Sequence, residues 1–136
     1  MPFTIQKPMR FGDCDLTGIA YHPAYLSMLV DVNEAMFASF GVTWKELFFE
    51  RKFGLPTVTL HLEFKKPAVY GDTLEFNVHV RKLGRSSADL ETIVTVGLDE
   101  IWRVQQRLVM TDLADHKSHP WPDDVRAGLT RYMTAA

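Results

Sequence analysis

Residues 23–40 read Pro23-Ala24-Tyr25-Leu26-Ser27-Met28-Leu29-Val30-Asp31-Val32-Asn33-Glu34-Ala35-Met36-Phe37-Ala38-Ser39-Phe40, with no glycine or proline after the first position. Tyr25, Leu26, Met28, Leu29, Val30, Val32, Met36, Phe37 and Phe40 cover most of a helical wheel, and only Ser27, Asp31, Asn33, Glu34 and Ser39 interrupt the apolar cover. A helix that is apolar on nearly every side is one that the fold buries. Pro23 suits the first helical turn, because it has no N–H to leave unsatisfied, and Gly41 suits the stop. The spacing predicts one long central helix.

Upstream, residues 3–11 alternate weakly and read as an edge strand in which Pro8 is tolerable. Residues 12–20 are rich in Gly, Asp and Thr and read as a loop. Downstream, residues 43–51 read as a short second helix, with Thr43 as N-cap and Glu46 closing a capping box. The rest alternates with the period of strands. Residues 55–65 are one candidate. Residues 72–83 are the clearest, with Leu74, Phe76, Val78 and Val80 on one face and Glu75, Asn77, His79 and Arg81 on the other. After a turn at Gly84-Arg85-Ser86, Leu90, Thr92, Val94 and Val96 continue the alternation, and residues 101–111 form a further strand after a turn at Leu98-Asp99-Glu100. Pro120 and Pro122 precede a short helix over 123–132. One buried helix followed by about four antiparallel strands is an α+β design. The sheet must curl around the helix, and both its faces and its edges need cover, which a homo-oligomer supplies.

The 136 residues fit one domain, residues 1–136, with 46% hydrophobic and 24% charged residues, ordinary for a globular chain. A net charge of −2, from 15 Lys+Arg against 17 Asp+Glu, argues against a broad nucleic-acid-binding face. The single cysteine, Cys14, excludes an internal disulfide framework and a cysteine-built zinc site. No apolar run reaches the length of a membrane span, and Met1 to Phe11 carries charges unlike a signal peptide. The expected location is the cytoplasm.

The chemistry concentrates just before the long helix, in Phe11-Gly12-Asp13-Cys14-Asp15-Leu16-Thr17-Gly18-Ile19-Ala20-Tyr21-His22-Pro23-Ala24-Tyr25. Two acids sit two apart in an irregular segment. Gly12 and Gly18 permit backbone shapes closed to other residues and a close approach by a ligand. The segment feeds a helix N-terminus, whose free N–H groups and dipole favour negative charge, so an oxyanion forming near His22 meets that field. A carboxylate facing it can act as nucleophile or as general base on water. Composition alone also allows both acids to be ordinary turn residues.

The wording of this loop, together with the order strand, acidic loop, long helix, antiparallel strands, resembles the hotdog-fold acyl-CoA thioesterases of the 4-hydroxybenzoyl-CoA thioesterase type. The resemblance implies a curled antiparallel sheet wrapped around the helix. It implies hydrolysis of an acyl-CoA to free acid and coenzyme A, with the coenzyme a part of the substrate and no further cofactor or metal. The catalytic acid falls on Asp15, and Asp13 is expected to hold the loop through backbone N–H groups. The thioester carbonyl is polarised by the backbone N–H at His22, not by its imidazole. Gly18 lets the thioester lie close, and Phe11, Tyr21, Tyr25 and Phe37 supply an apolar acyl pocket. Coenzyme A is expected near a subunit interface in a dimer of dimers, with phosphates gripped by Arg85 and Lys117, although both also read as solvated surface cations.

Two other readings compete. A hydratase or dehydratase of the same fold needs an Asp where Thr17 stands relative to His22. A non-catalytic module for acyl-CoA or acyl carrier protein would have no use for Asp15. Elsewhere, His61 with Glu63 is too small a set for a closed metal site, and His116 with His119 adjoins Pro120, which argues against a helical metal pair. Asp31 and Glu34 are an alternative carboxylate source on the helix. Cys14, flanked by two acids, is expected to be a poor nucleophile.

Overall fold

The computed structural model describes residues 1–19 and 22–134. Its elements, in chain order, are β1 (Phe3–Pro8), α1 (His22–Ser39), a π-helical turn (Lys45–Glu50), β2 (Phe53–Gly54), β3 (Thr57–Phe64), β4 (Thr73–Leu83), β5 (Ser87–Val96), β6 (Asp99–Val109), β7 (Thr111–Asp112) and α2 (Asp123–Thr130). The period-two alternation has the expected outcome. Leu74, Phe76, Val78 and Val80 of β4 are fully buried, as are Ala88, Thr92 and Val94 of β5 and Trp102 and Val104 of β6. These residues form the inner face of a five-stranded antiparallel sheet ordered β1-β4-β5-β6-β3. α1 lies against that face through Tyr25, Met28, Leu29, Val32, Asn33, Met36 and Phe37. This is the hotdog arrangement, and its five strands are the five that the sequence alternation reads; the short β2–β7 pair is the addition.

The helix is not covered all round. Leu26, Val30, Asp31, Glu34 and Ala38 are exposed. An apolar wheel reveals how much of a helix can be buried, not which arc receives a neighbour. Residues 43–51 wind as a π turn: the Arg51 amide bonds the Glu46 carbonyl, five residues back, at 2.8 Å. Half of the expected capping box forms, with the Glu46 amide donating to Thr43 Oγ1 at 3.2 Å. The Glu46 carboxylate turns instead to Arg51, which also holds Asp124 at the start of α2. β6 begins two residues earlier than its apolar pattern, at Asp99, because the reversal is made at Gly97 with φ +59.

The outer face of the sheet needs no apolar cover. Its side chains form a charged ladder in which Glu91 accepts from Arg81 at 2.8 Å and from Arg103 at 3.3 Å, while Asp89 accepts from Arg107. The two sheet edges differ. β1 carries Lys7 and Pro8, both unfavourable to further pairing. Beyond the first residue of β1, Phe3, which faces Val78, the C-terminal segment takes over: the Val80 amide donates to the Tyr132 carbonyl and the Thr134 amide to the Val80 carbonyl. Tyr132 is also fixed by the Phe3 ring and by the hydroxyl of Ser39. β3, at the other edge, carries exposed Val58, Leu60 and Phe64.

Candidate active site

The acidic loop is tied to the start of β4. Met9 bonds Asp72 through its amide, and the Tyr70 amide donates to the Gly18 carbonyl at 2.9 Å. Asp13 has the structural part expected of it, its Oδ2 accepting from the Arg10 amide at 2.9 Å across a single 3₁₀ turn. Asp15 starts a second, tighter turn. Its amide bonds the Ile19 carbonyl, and its own carbonyl accepts from the Gly18 amide. Gly18 has φ +79, a conformation that a side chain would strain, and a Cβ there would point into open space. The glycine is therefore required first by the turn.

The Asp15 carboxylate is exposed in the single chain. Its Oδ1 accepts from the Thr17 amide at 2.8 Å and from the Thr17 hydroxyl at 2.5 Å. The hydroxyl bond, then the amide bond, holds the Asp15 carboxyl below the usual carboxylate range. Among the described residues nothing bonds Oδ2. Thr17, which entered the sequence analysis only to set aside a hydratase, is thus the residue that lowers the Asp15 pKa. An Asp-x-Thr spacing in a turn is a recognisable signal for such a bond. Next to it, burial and then the charges of Asp13 and Asp15 push the Cys14 thiol up, as expected of a poor nucleophile.

Ile19, bonded to Asp15, lines a cleft of about 250 Å³ together with His22, Tyr25, Phe64, Lys65, Lys66 and Pro67. His22 is the first residue of α1. With Pro23 lacking an N–H, the amides of His22 and Ala24 are the ones in the first turn without an intrahelical acceptor. The His22 ring stacks on Phe64 at 4.2 Å, and Tyr25 stacks on Trp102 at 4.8 Å. Tyr25 is a core residue whose hydroxyl accepts from the Ala68 amide, and burial raises it above the usual phenol range. Phe37 is likewise wholly in the core, whereas Phe11 stands in solvent against Tyr70. Tyr21 lies outside the described residues. Phe64, Lys65 and Lys66 were not singled out in the sequence, because only the return of β3 beside the helix start brings them to this cleft.

Arg85 and Lys117 do share one end of the sheet. The Arg85 carbonyl accepts from the Trp121 amide, and the Lys117 carbonyl from the Asp112 amide. Both side chains are exposed. That end is opposite to Asp15: the 11 residues of β4 separate them, roughly 35 Å of strand. One chain therefore does not bring these two cations to its own acidic loop. A larger concavity, about 620 Å³, lies on the outer face of the sheet over Arg81, Glu91, Arg103 and Arg107. Its guanidiniums are engaged by Asp89, Glu91 and Glu100, and the helix start is on the other side of the sheet. Among the described residues no group of three or more His, Cys, Asp or Glu is placed to hold a metal. Among the described residues no helix is long and apolar enough to cross a membrane.

This loop, helix and sheet define a known class. The chain belongs to the thioesterase-like superfamily, whose model matches residues 9–129. It is 32% identical over 84 residues to a 1,4-dihydroxy-2-naphthoyl-CoA hydrolase of Synechococcus elongatus, a match covering 61% of this chain and 62% of that protein, so less than two thirds of the relative's length is spanned. The fold superposes on a 1,4-dihydroxy-2-naphthoyl-CoA thioesterase from Synechocystis with a TM-score of 0.88 at 21% identity, covering 96% of both chains. It also superposes on a 4-hydroxybenzoyl-CoA thioesterase variant complexed with 4-hydroxybenzoyl-CoA, with a TM-score of 0.85 at 23% identity over 94% of this chain and 98% of that one.

Proposed function

We propose that this protein hydrolyses acyl-CoA thioesters to the free acid and coenzyme A, with Asp15 as the catalytic carboxylate. The observation that carries the reading is the placement of Asp15: Oδ1 is fixed by Thr17, Oδ2 has no partner among the described residues, and the side chain sits one turn from a cleft that opens on a helix N-terminus. Membership of the thioesterase-like superfamily and the named activities of the relatives support it. Oδ2 either attacks the acyl carbon, giving an anhydride that water then splits, or removes a proton from a water that attacks. In both routes the carbonyl oxygen becomes an oxyanion, and the His22 amide and helix dipole stabilise it. The C–S bond breaks, coenzyme A leaves as thiolate, and no general acid is required because a thiolate is a good leaving group. Gly18 borders the thioester, and the Tyr25 ring backs the cleft.

The working unit in this reading is a homo-oligomer, a dimer of dimers, acting in the cytoplasm, where Cys14 stays a free thiol. Antiparallel pairing of two β3 edges about a two-fold axis turns one copy end for end relative to the other. The Arg85–Lys117 end of one copy then lies at the same end of the joined sheet as the Asp15 loop of the other, where it can grip the phosphates of coenzyme A. Asp15→Asn should lower thiol release from acyl-CoA by about 10² or more while the thermal melt stays unchanged. Equal rates for variant and wild type would remove Asp15 from the chemistry.

A further inference from the structure

The acidic loop carries an apolar collar that the fold leaves uncovered. Phe11 is 70% exposed, Tyr70 is 61% exposed, and Leu16, next to Asp15, stands wholly in solvent. Ile19 and Val69 are exposed as well. These side chains belong to one surface. The Phe11 and Tyr70 rings meet edge to face at 5.9 Å, Ile19 pairs with Val69 across a β-bridge, and the Tyr70 amide donates to the Gly18 carbonyl. Leu16 lies inside the turn that the Ile19 carbonyl closes on the Asp15 amide. A contiguous exposed apolar patch on a globular chain marks a binding surface.

The collar is continuous with the cleft, since Ile19 belongs to both. It is set apart from the open β3 edge. Phe11 follows β1 and Tyr70 precedes β4, the two strands farthest from β3 in the order β1-β4-β5-β6-β3. In the reading above, coenzyme A leaves the cleft past β3, so the collar leads the opposite way. The chain interior offers the acyl group little room. The cleft holds about 250 Å³, below the roughly 300–1,000 Å³ of pockets that enclose drug-sized ligands, and Tyr25 and Phe37 are packed in the core. A protein seated on the collar would close over Asp15, and the Asp13 and Asp15 carboxylates oppose an anionic membrane surface. An alkyl chain of the substrate arrives joined to the thioester, carries no charge and departs with the product.

We propose that Phe11, Leu16 and Tyr70 are specificity residues: they form an external shelf on which the alkyl chain of the acyl group lies, so that long-chain acyl-CoAs are favoured over short ones. The inference rests on the thioesterase reading above and deepens it by naming the substrate class. Complete burial of one methylene favours binding about fourfold, and a shelf that covers one side of the chain gives about twofold per methylene. The contact is the same in the ground state and the transition state, so the gain falls on KM.

The test measures kcat and KM by thiol release for hexanoyl-CoA, dodecanoyl-CoA and benzoyl-CoA, at concentrations where the long ester is monomeric. In the wild type, kcat/KM for dodecanoyl-CoA should exceed that for hexanoyl-CoA by about tenfold or more, through KM. Phe11→Ser, Leu16→Ser and Tyr70→Ser combined should bring that ratio close to one. The ratio is taken within one preparation, so a reduced folded fraction does not alter it. Leu16→Ser alone, at a side chain that packs on nothing, should lower the ratio by about twofold or more even if the triple variant does not fold. Equal wild-type kcat/KM for the two alkanoyl esters, or turnover of benzoyl-CoA alone, overturns the inference and leaves the thioesterase reading intact. A long-chain preference that survives undiminished in the variants also overturns it. Release of thiol from none of the three esters overturns the thioesterase reading and this inference together.

Discussion

Asp15 and Thr17 are best understood as one unit. A carboxylate in solvent has little reason to depart from its ordinary pKa, and this one departs because a hydroxyl and an amide two residues on both donate to the same oxygen. Thr17→Val removes the hydroxyl and keeps the amide. The anion loses stabilisation, the carboxyl pKa rises, and the acid limb of the kcat/KM profile should move to higher pH, with little change in rate at neutral pH. A profile that superposes on the wild type would detach Thr17 from the protonation of Asp15. At this scale the sequence was informative about the acids and the glycine, since a loop motif is local. It was silent on Asn33 with Gln106, whose bond joins residues 73 apart, and on Phe64, Lys65 and Lys66, which reach the cleft only through the path of β3.

The elements show where periodicity suffices and where it does not. Alternation located β4, β5 and most of β6, because every second residue meets the same inner face. It also located α1 within one residue at each end. The exposed arc of α1 escaped it, as did the π turn, because Arg51 draws the Glu46 carboxylate away from the cap and toward Asp124. One close approach depends on a missing side chain. Gly128 of α2 packs directly on the Phe40 ring at the end of α1, and a Cβ there would overlap the ring. Gly128→Ala normally favours a helix by about 1 kcal/mol. Here it should instead lower the free energy of unfolding by roughly 1–3 kcal/mol, since overpacking outweighs propensity. Urea denaturation showing a gain in stability would mean that Phe40 moves aside without penalty.

At the scale of the whole molecule the decisive feature is the contrast between its two edges. β3 has eight residues, lies open along one side and exposes Val58, Leu60 and Phe64. Such an edge pairs with another unless something blocks it. Val58→Lys with Leu60→Lys should convert the proposed assembly to single chains of 15.6 kDa in sedimentation velocity. An assembly mass unaltered by the double substitution would place the interface elsewhere. Which strand is left open was not legible in the sequence, because it depends on which strand ends up outermost. The other edge is finished from within, by Lys7, Pro8 and the run from Tyr132 to Thr134 that completes it along Val80. A row of subunits can grow without limit only if each carries two adhesive margins. This one carries one, so in the proposed assembly strand joining would stop after a single union, which would keep a protein rich in β structure from stacking into fibrils.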